Sequence, residues 1–128
     1  MRPKMPVLLY CADRELLSTT AFALRLHPYD VTAVDDSRNA TAIMMASQLL
    51  CGILIHARHG DFAGRLIHRL LEADLHTPLL LVDRVGDLAP VRYADMVLYG
   101  RNTSMAHILA ALNVLCQRKR GLHPGGAA

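Results

Sequence analysis

The chain has 128 residues, of which 52% are hydrophobic and 20% are charged, and its formal net charge is +3. This length accommodates about one domain with a substantial core, and no apolar run approaches the roughly 18 to 20 residues that span a bilayer, so we expect a soluble protein with no membrane partner. The basic residues are scattered apart from the cluster at 118–120, and the chain has only four tyrosines, two phenylalanines and no tryptophan. Nucleic-acid binding is therefore not favoured.

The compartment is predicted by the N-terminus and by the cysteines. The opening stretch "MRPKMPVLLYCADRE" has an apolar run that is too short for a signal peptide and is followed directly by acidic residues. Cys11, Cys51 and Cys116 are odd in number, widely spaced and embedded in apolar sequence. This pattern is typical of small buried residues in a reducing environment, so we expect a cytoplasmic protein without disulfides.

Five short apolar runs recur along the chain at near-regular spacing. They are "PVLLYC" at 6–11, "DVTAV" at 30–34, "CGILI" at 51–55, "PLLLV" at 78–82 and "DMVLY" at 95–99. Runs that are nearly continuous in Val, Ile and Leu are typical of strands buried on both faces of a parallel sheet.

Between the runs the apolar period becomes helical. The first helix is predicted from Arg14 to about His27, the second begins at Ser37 as its cap, the third follows Gly60, and the last opens at Thr103 or Ser104. The predicted inward residues are Leu17, Ala21, Leu24, Ala40, Ile43, Met44, Ala63, Leu66, Ile67, Leu70, Leu71, Ile108, Leu109, Leu112, Leu115 and Cys116.

The fourth connection predicts a shorter helix than the others. Gly86 and Pro90 confine it to about two turns around 88–93. Strand and helix nevertheless alternate five times, and right-handed crossovers turn that order into an α/β fold with a doubly wound parallel sheet and helices on both faces. The predicted domain covers 1–119, and the tail at 120–128 has no apolar period and is expected to be disordered.

The arrangement resembles the receiver domain of bacterial two-component response regulators, from Pro6 to about Arg118. The stretch "CGILIHARHGDFAGRLIHRLLEAD" is similar to the family's third strand, following loop and third helix, with Gly64 at the family's Asp-Gly pair. "TPLLLV" is similar to its fourth strand, and "ADMVLYGRN" to its fifth strand and Lys-Pro turn. The resemblance implies a flavodoxin-like, five-stranded sheet of order 2-1-3-4-5.

Receivers transfer a phosphoryl group to one aspartate, beside an acidic pair that holds Mg²⁺, a Thr or Ser, and a Lys. Matched to that pattern, this chain has His56 at the acceptor position and Cys11 and Ala12 at the acidic pair. It has Asp83 at the Thr or Ser and Gly100 at the Lys, while Arg101 follows at the proline. All of these functional positions are substituted.

The substitutions predict that the phosphoryl switch is lost. An imidazole cannot form the acyl phosphate, and Cys11 and Ala12 cannot supply the oxygen ligands of Mg²⁺. Asp13 is a single carboxylate that we expect to cap the first helix. Asp83 adds a negative charge that would repel a phosphorylated neighbour.

A metal or small-ligand site is the main alternative. The ends of the first, third and fourth strands converge in this fold, so Cys11, Asp13, His56, His59 and Asp83 would offer the S, N and O ligands that Zn²⁺ accepts. The sequence has no spacing typical of a zinc motif. The simpler interpretation is that His56 is hydrogen-bonded at the strand end to Asp13, Asp83 or a backbone group.

Two further alternatives are less favoured. A phosphohistidine relay at His56 needs a cation nearby, for which Arg58 and Arg101 are nominal candidates. Asp35 and Asp36 lie where dinucleotide-binding folds place a ribose-binding acid, but the first turn "YCADRE" has no glycine to cradle a pyrophosphate. We expect these two aspartates to form a turn and a helix start.

The sequence therefore predicts a pseudo-receiver, a phosphorylation-independent signalling module that is not an enzyme and needs no cofactor. Receivers commonly pair through the face made by the fourth helix, fifth strand and fifth helix. That face would present Tyr93, Tyr99, Arg101 and Met105, and Tyr, Arg and Met are favoured at interfaces. The expected partner is a protein: a kinase, a regulator or a second copy in a homodimer.

Overall fold

A computed structural model describes residues 4–58, 63–73, 77–86 and 94–119. Its strands are β1 (Met5–Cys11), β2 (Tyr29–Val34), β3 (Cys51–His56), β4 (Leu79–Asp83) and β5 (Met96–Tyr99). Its helices are α1 (Arg14–Arg25), α2 (Ser37–Ala46), α3 (Ala63–Glu72) and α4 (Met105–Lys119). The predicted short helix around 88–93 and the predicted tail at 120–128 lie outside the described residues, so α4 here is the last helix of the sequence prediction.

The strands form one parallel sheet in the order β2-β1-β3-β4-β5. This confirms the predicted doubly wound topology. The central strands β3 and β4 are buried along their whole length, as expected from their continuous apolar runs. Because all five strands are parallel, their carboxyl ends lie along the same edge of the sheet, and this edge carries the candidate site.

Two apolar clusters lie on opposite faces of the sheet. One packs α1 and α4 against alternate strand residues, among them Cys11 and Ile55. The other packs α2 and α3 against the intervening residues, such as Tyr10 and Leu54. Since successive side chains of a strand point to opposite faces, cluster membership identifies the face to which each strand residue points.

Most of the predicted inward residues are buried. Those with buried side chains are Leu17, Ala21, Leu24, Ala40, Met44, Leu66, Ile67, Leu70, Ile108, Leu112, Leu115 and Cys116. Ile43 and Leu109 are partly buried against the two clusters, while the side chains of Ala63 and Leu71 are outside the described set. The helical period therefore identified the packing faces correctly.

The predicted helix caps were right at two of three positions. Asp13 caps α1 by accepting from the Leu16 N–H at 3.1 Å, and Ser104 Oγ accepts from the His107 N–H at 3.3 Å before α4. Ser37 as the cap of α2 was wrong: the cap is Asp36, whose carboxylate accepts from the Arg38 N–H at 2.7 Å. A carboxylate and a hydroxyl are both good caps, so the "DDS" stretch alone does not decide whether Asp36 or Ser37 caps the helix.

Candidate functional site

His56 and Asp83 form the centre of the carboxyl edge. They are register partners at the ends of β3 and β4, and their exposed fractions are 2% and 1%. Strand alternation from Leu54 and Leu81, which belong to the α2–α3 cluster, points both side chains to the α2–α3 face. The predicted acceptor position therefore holds an imidazole with a carboxylate directly beside it on the next strand.

Asp83 is held by the loop that follows β4. Its Oδ1 accepts hydrogen bonds from the backbone N–H groups of Gly86 at 2.7 Å and Val85 at 3.1 Å. Gly86 has a φ of +85°, which favours glycine and lets its N–H turn back to the carboxylate. Oδ2 is buried and makes no hydrogen bond within the described residues. Two backbone donors offset part of the cost of burying this polar group.

The side chain of Asp13 is used at the start of α1. Its Oδ1 caps the helix, and its Oδ2 lies 3.8 Å from Nη2 of Arg58 in a partly exposed ion pair. The expectation that Asp13 caps the first helix is confirmed. A carboxylate with one oxygen on a helix N-terminus and the other near a guanidinium is not arranged to hold a cation.

Cys11 does not lie with the other predicted metal ligands. It belongs to the α1–α4 cluster and is fully buried, whereas His56 and Asp83 point to the opposite face and Ala12 packs toward that face. The expected convergence of Cys11 with His56 and Asp83 is therefore corrected, because strand alternation puts Cys11 on the other side of the sheet. His59 lies outside the described residues, and among the described ones no three His, Cys, Asp or Glu side chains could together hold a metal ion.

The end of β5 closes the edge beside Asp83. Tyr99 is the register partner of Asp83, and the Gly100 N–H donates to the Asp83 carbonyl at 3.0 Å. Gly100 has a φ of +122°, so a residue with a side chain would be strained there. The position at which receivers have the Lys is thus occupied by a glycine in a backbone turn. Tyr99 is the last residue of β5 whose side chain lies on the same face as His56 and Asp83.

The predicted interface residues differ in exposure. The side chain of Tyr99 is 66% exposed, and Arg101 is exposed in the turn that follows. A cleft of about 430 Å³ is lined by Tyr99, Gly100, Arg101 and His107 together with their neighbours. Met105 is partly buried against the core, so it contributes less surface than expected, and Tyr93 lies outside the described residues.

The acidic pair after β2 is used in local structure. Asp35 accepts from Nε of Arg14 at 2.8 Å, and Asp36 caps α2. This confirms the predicted turn and helix start. The same two aspartates also line a cleft of about 450 Å³ with Tyr10, Ser37, Arg38, Arg65 and Arg69. Sequence reasoning missed this cleft, although Arg65 and Arg69 at helical spacing were a visible signal.

Cys51 is an inert packing residue at the start of β3. Burial, together with smaller contributions from Cys116 and Asp95, raises the pKa of its thiol well above the ordinary value of 9.0. A thiol that stays protonated is a poor nucleophile and metal ligand. Cys11 and Cys116 are also buried and none of the three cysteines forms a disulfide.

Comparison with known proteins identifies the fold. No protein-family model and no curated protein matches the sequence. Among solved structures, a response regulator receiver domain protein from Clostridium thermocellum matches with a TM-score of 0.78 at 16% identity, over 93% of this chain and 99% of that one. A CheY-like receiver domain protein from Methanospirillum hungatei JF-1 matches with a TM-score of 0.77 at 11% identity, over 94% and 99% of the two chains.

The chain has the receiver-domain fold. A structure of an adenylate cyclase from Rhodopirellula baltica also matches, with a TM-score of 0.78 at 18% identity over 93% of this chain and 92% of that one. None of the helices in the described residues is long and apolar enough to cross a membrane.

Proposed function

We propose that this chain is a phosphorylation-independent, receiver-like signalling module that acts by binding another protein and has no enzymatic activity. The observation that carries the proposal is the pair at the carboxyl edge: His56 ends β3 and the buried Asp83 lies opposite it on β4. In receivers, which this fold resembles, the first position carries the acceptor aspartate and the second a hydroxyl. The chemistry of the pair supports a module that does not accept a phosphoryl group.

The surroundings of the pair support the same conclusion. Asp13 is the one carboxylate left from the acidic pair after β1, and it caps α1 and lies near Arg58. Ala12 has no ligand atom in its side chain, and Cys11 points into the α1–α4 cluster. The hard oxygen ligands that Mg²⁺ requires are therefore replaced by apolar groups or used in local structure.

The surface at β5 supports protein binding. Tyr99 and Arg101 are exposed side by side at the rim of a cleft, and aromatic and Arg side chains are the types that dominate interface energies. A mostly exposed tyrosine carries apolar area that a partner would remove from water. The proposed partner is a kinase, a regulator or a second copy of this chain. We propose that the module acts in the cytoplasm, where three buried cysteines that form no disulfide are expected.

The test is an amide NMR titration with Mg²⁺, followed by beryllofluoride, which mimics the acyl phosphate of a receiver. We expect no change at the amides near Cys11, His56 and Asp83, while a receiver with its aspartates intact, treated in parallel, responds to both. A specific response at those amides would overturn the phosphorylation-independent part of the proposal.

Light scattering over a range of protein concentrations tests the homodimer separately. A concentration-dependent increase in mass supports self-association. A monomer at all concentrations excludes the second copy as the partner and leaves the kinase or regulator.

A further inference from the structure

A second cleft lies on the carboxyl edge, away from His56 and Asp83. It is at the ends of β1 and β2, between the first turn of α2 and the exposed side of α3, and has a volume of about 450 Å³. This volume is within the range of about 300 to 1,000 Å³ that is typical of small-molecule sites. Tyr10, which is almost fully buried, contributes the floor, and charged side chains form most of the rim.

The charges on the cleft favour an anion. Arg38, Arg65 and Arg69 line it together with Asp35 and Asp36. Arg14 does not line the cleft, but its guanidinium pairs with Asp35 at 2.8 Å and so offsets the charge of one of the two aspartates. The lining therefore carries more guanidinium groups than carboxylates, and one of the two carboxylates is already paired with Arg14.

Two of the arginines have side chains without a polar partner in the described part of the chain. The side chains of Arg38 and Arg69 are exposed and form neither a hydrogen bond nor an ion pair with described residues. Like charges gathered around one cleft repel each other, which costs stability unless an anion binds between them. The planar guanidinium fork matches the oxygens of a phosphate group, often through two hydrogen bonds at once.

The aspartates add a second kind of recognition. Asp35 and Asp36 each use one carboxylate oxygen, on Arg14 and on the Arg38 N–H respectively. Both residues line the cleft, and a carboxylate oxygen can accept hydrogen bonds from sugar hydroxyls. The lack of a glycine cradle in the first turn counted against nucleotide binding at Asp35 and Asp36, but arginines in the cleft offer a different source of phosphate affinity.

We propose that this cleft binds a small phosphorylated sugar of the nucleotide class, with Arg38, Arg65 and Arg69 on its phosphate and Asp35 and Asp36 on its hydroxyls. The site is separate from the pair at β3 and β4 and from the exposed surface at β5. It gives a module without a phosphoacceptor another way to respond to a signal. The inference does not depend on the proposed function, since neither His56 nor Tyr99 contributes to the cleft.

Isothermal titration calorimetry of the full chain at low ionic strength tests the site with AMP, ribose 5-phosphate, inorganic phosphate and adenosine, and amide NMR locates any binding. We expect AMP and ribose 5-phosphate to bind and to shift the amides of Tyr10, Arg38 and Arg69. Inorganic phosphate should bind more weakly and adenosine, which lacks a phosphate, should not bind. The absence of binding by both phosphorylated sugars overturns the proposal.

Charge-matched variants separate the site from general attraction of anions. Arg38→Gln and Arg69→Gln should each weaken AMP binding by about tenfold or more, as expected for the loss of a charge-assisted hydrogen bond. Lys4→Gln removes the same charge from an exposed residue beside the amino end of β1 and should leave the affinity unchanged. Equal weakening in all three variants would show non-specific attraction and overturn the proposal.

Asp35→Ala tests the sugar part. It should reduce the preference for ribose 5-phosphate over inorganic phosphate. If inorganic phosphate binds the unmodified protein as tightly as ribose 5-phosphate does, the sugar recognition is overturned. If only an RNA oligomer binds, the cleft is part of a nucleic-acid surface and the small-molecule proposal fails.

Discussion

Asp83 lies directly opposite His56 across β3 and β4, and its carboxylate is bound by the backbone of the loop that follows its own strand. The donors are the N–H groups of Gly86 and Val85, which lie 2.7 and 3.1 Å from Oδ1. The acceptor oxygen at this β4 position is therefore used within its own loop, which supports the proposed module that does not accept a phosphoryl group.

Removing the Asp83 carboxylate is expected to destabilise the protein. Asp83→Ala removes the acceptor of two part-buried hydrogen bonds, from the N–H groups of Val85 and Gly86, and the loss of each costs about 0.5 to 1.5 kcal/mol. Asp83→Asn keeps an acceptor oxygen and should lose less. Urea unfolding of the three proteins measures the differences, and an Asp83→Ala protein as stable as the unmodified one would contradict the role of the loop contacts.

Asp13 is expected to contribute to stability as a helix cap. Asp13→Ala should lower the free energy of unfolding by about 1 kcal/mol, whereas Asp13→Ser, which retains a capping oxygen, should lose much less. Thermal unfolding with and without Mg²⁺ provides the control. If Mg²⁺ raises the Tm of the unmodified protein and not of Asp13→Ser, Asp13 is an ion ligand and the capping interpretation is insufficient.

Tyr99 is expected to be important for partner binding and unimportant for stability. Its side chain is 66% exposed, so Tyr99→Ala should change the free energy of unfolding by less than about 0.5 kcal/mol. In an interface centred on Tyr99 the same change should weaken association by about 2 kcal/mol or more. Phe22→Ala on α1 is a matched control, since Phe22 is 67% exposed and lies on another surface. Equal effects of the two changes on light scattering or partner titration would argue against the β5 surface.

The Cys51 thiol is expected to make stability depend on pH in the alkaline range. Burial raises its pKa in the folded protein, so the contribution is complete below the ordinary value of 9.0 and is lost as pH rises above it, because only the unfolded chain then ionises. The slope from one such group is about 1.4 kcal/mol per pH unit. Urea unfolding above and below pH 9.0 should show a shallower slope for Cys51→Ala. An unchanged slope would mean that other groups cause the dependence.

Thiol labelling gives an independent check on the same residue. Cys11, Cys51 and Cys116 are all buried, so iodoacetamide should label none of them in the folded protein and all three in urea. Rapid labelling of Cys51 under native conditions would contradict its burial.

The local features of the fold could be predicted from the sequence because each depends on neighbouring residues. Continuous runs of Val, Ile and Leu predicted β3 and β4, and the helical period identified inward residues such as Leu17 and Leu112. Asp13 as a cap was also predictable, since it precedes an amphipathic segment directly. The ends of β3 and β4 at His56 and Asp83 followed from the same patterns and the resemblance.

The face on which Cys11 lies and the cleft around Arg38 and Arg69 were decided only by the tertiary structure. Strand alternation shows which residues of β1 share a face of the strand. The pairing of β1 with β3 then decides that the side chain of Cys11 lies on the opposite face of the sheet from that of His56. Likewise Arg38 on α2 and Arg69 on α3 line the same cleft because the two helices pack side by side on one face of the sheet. Burial of each apolar stripe is a property of one segment, whereas the distance between polar residues on different segments depends on how those segments pack together.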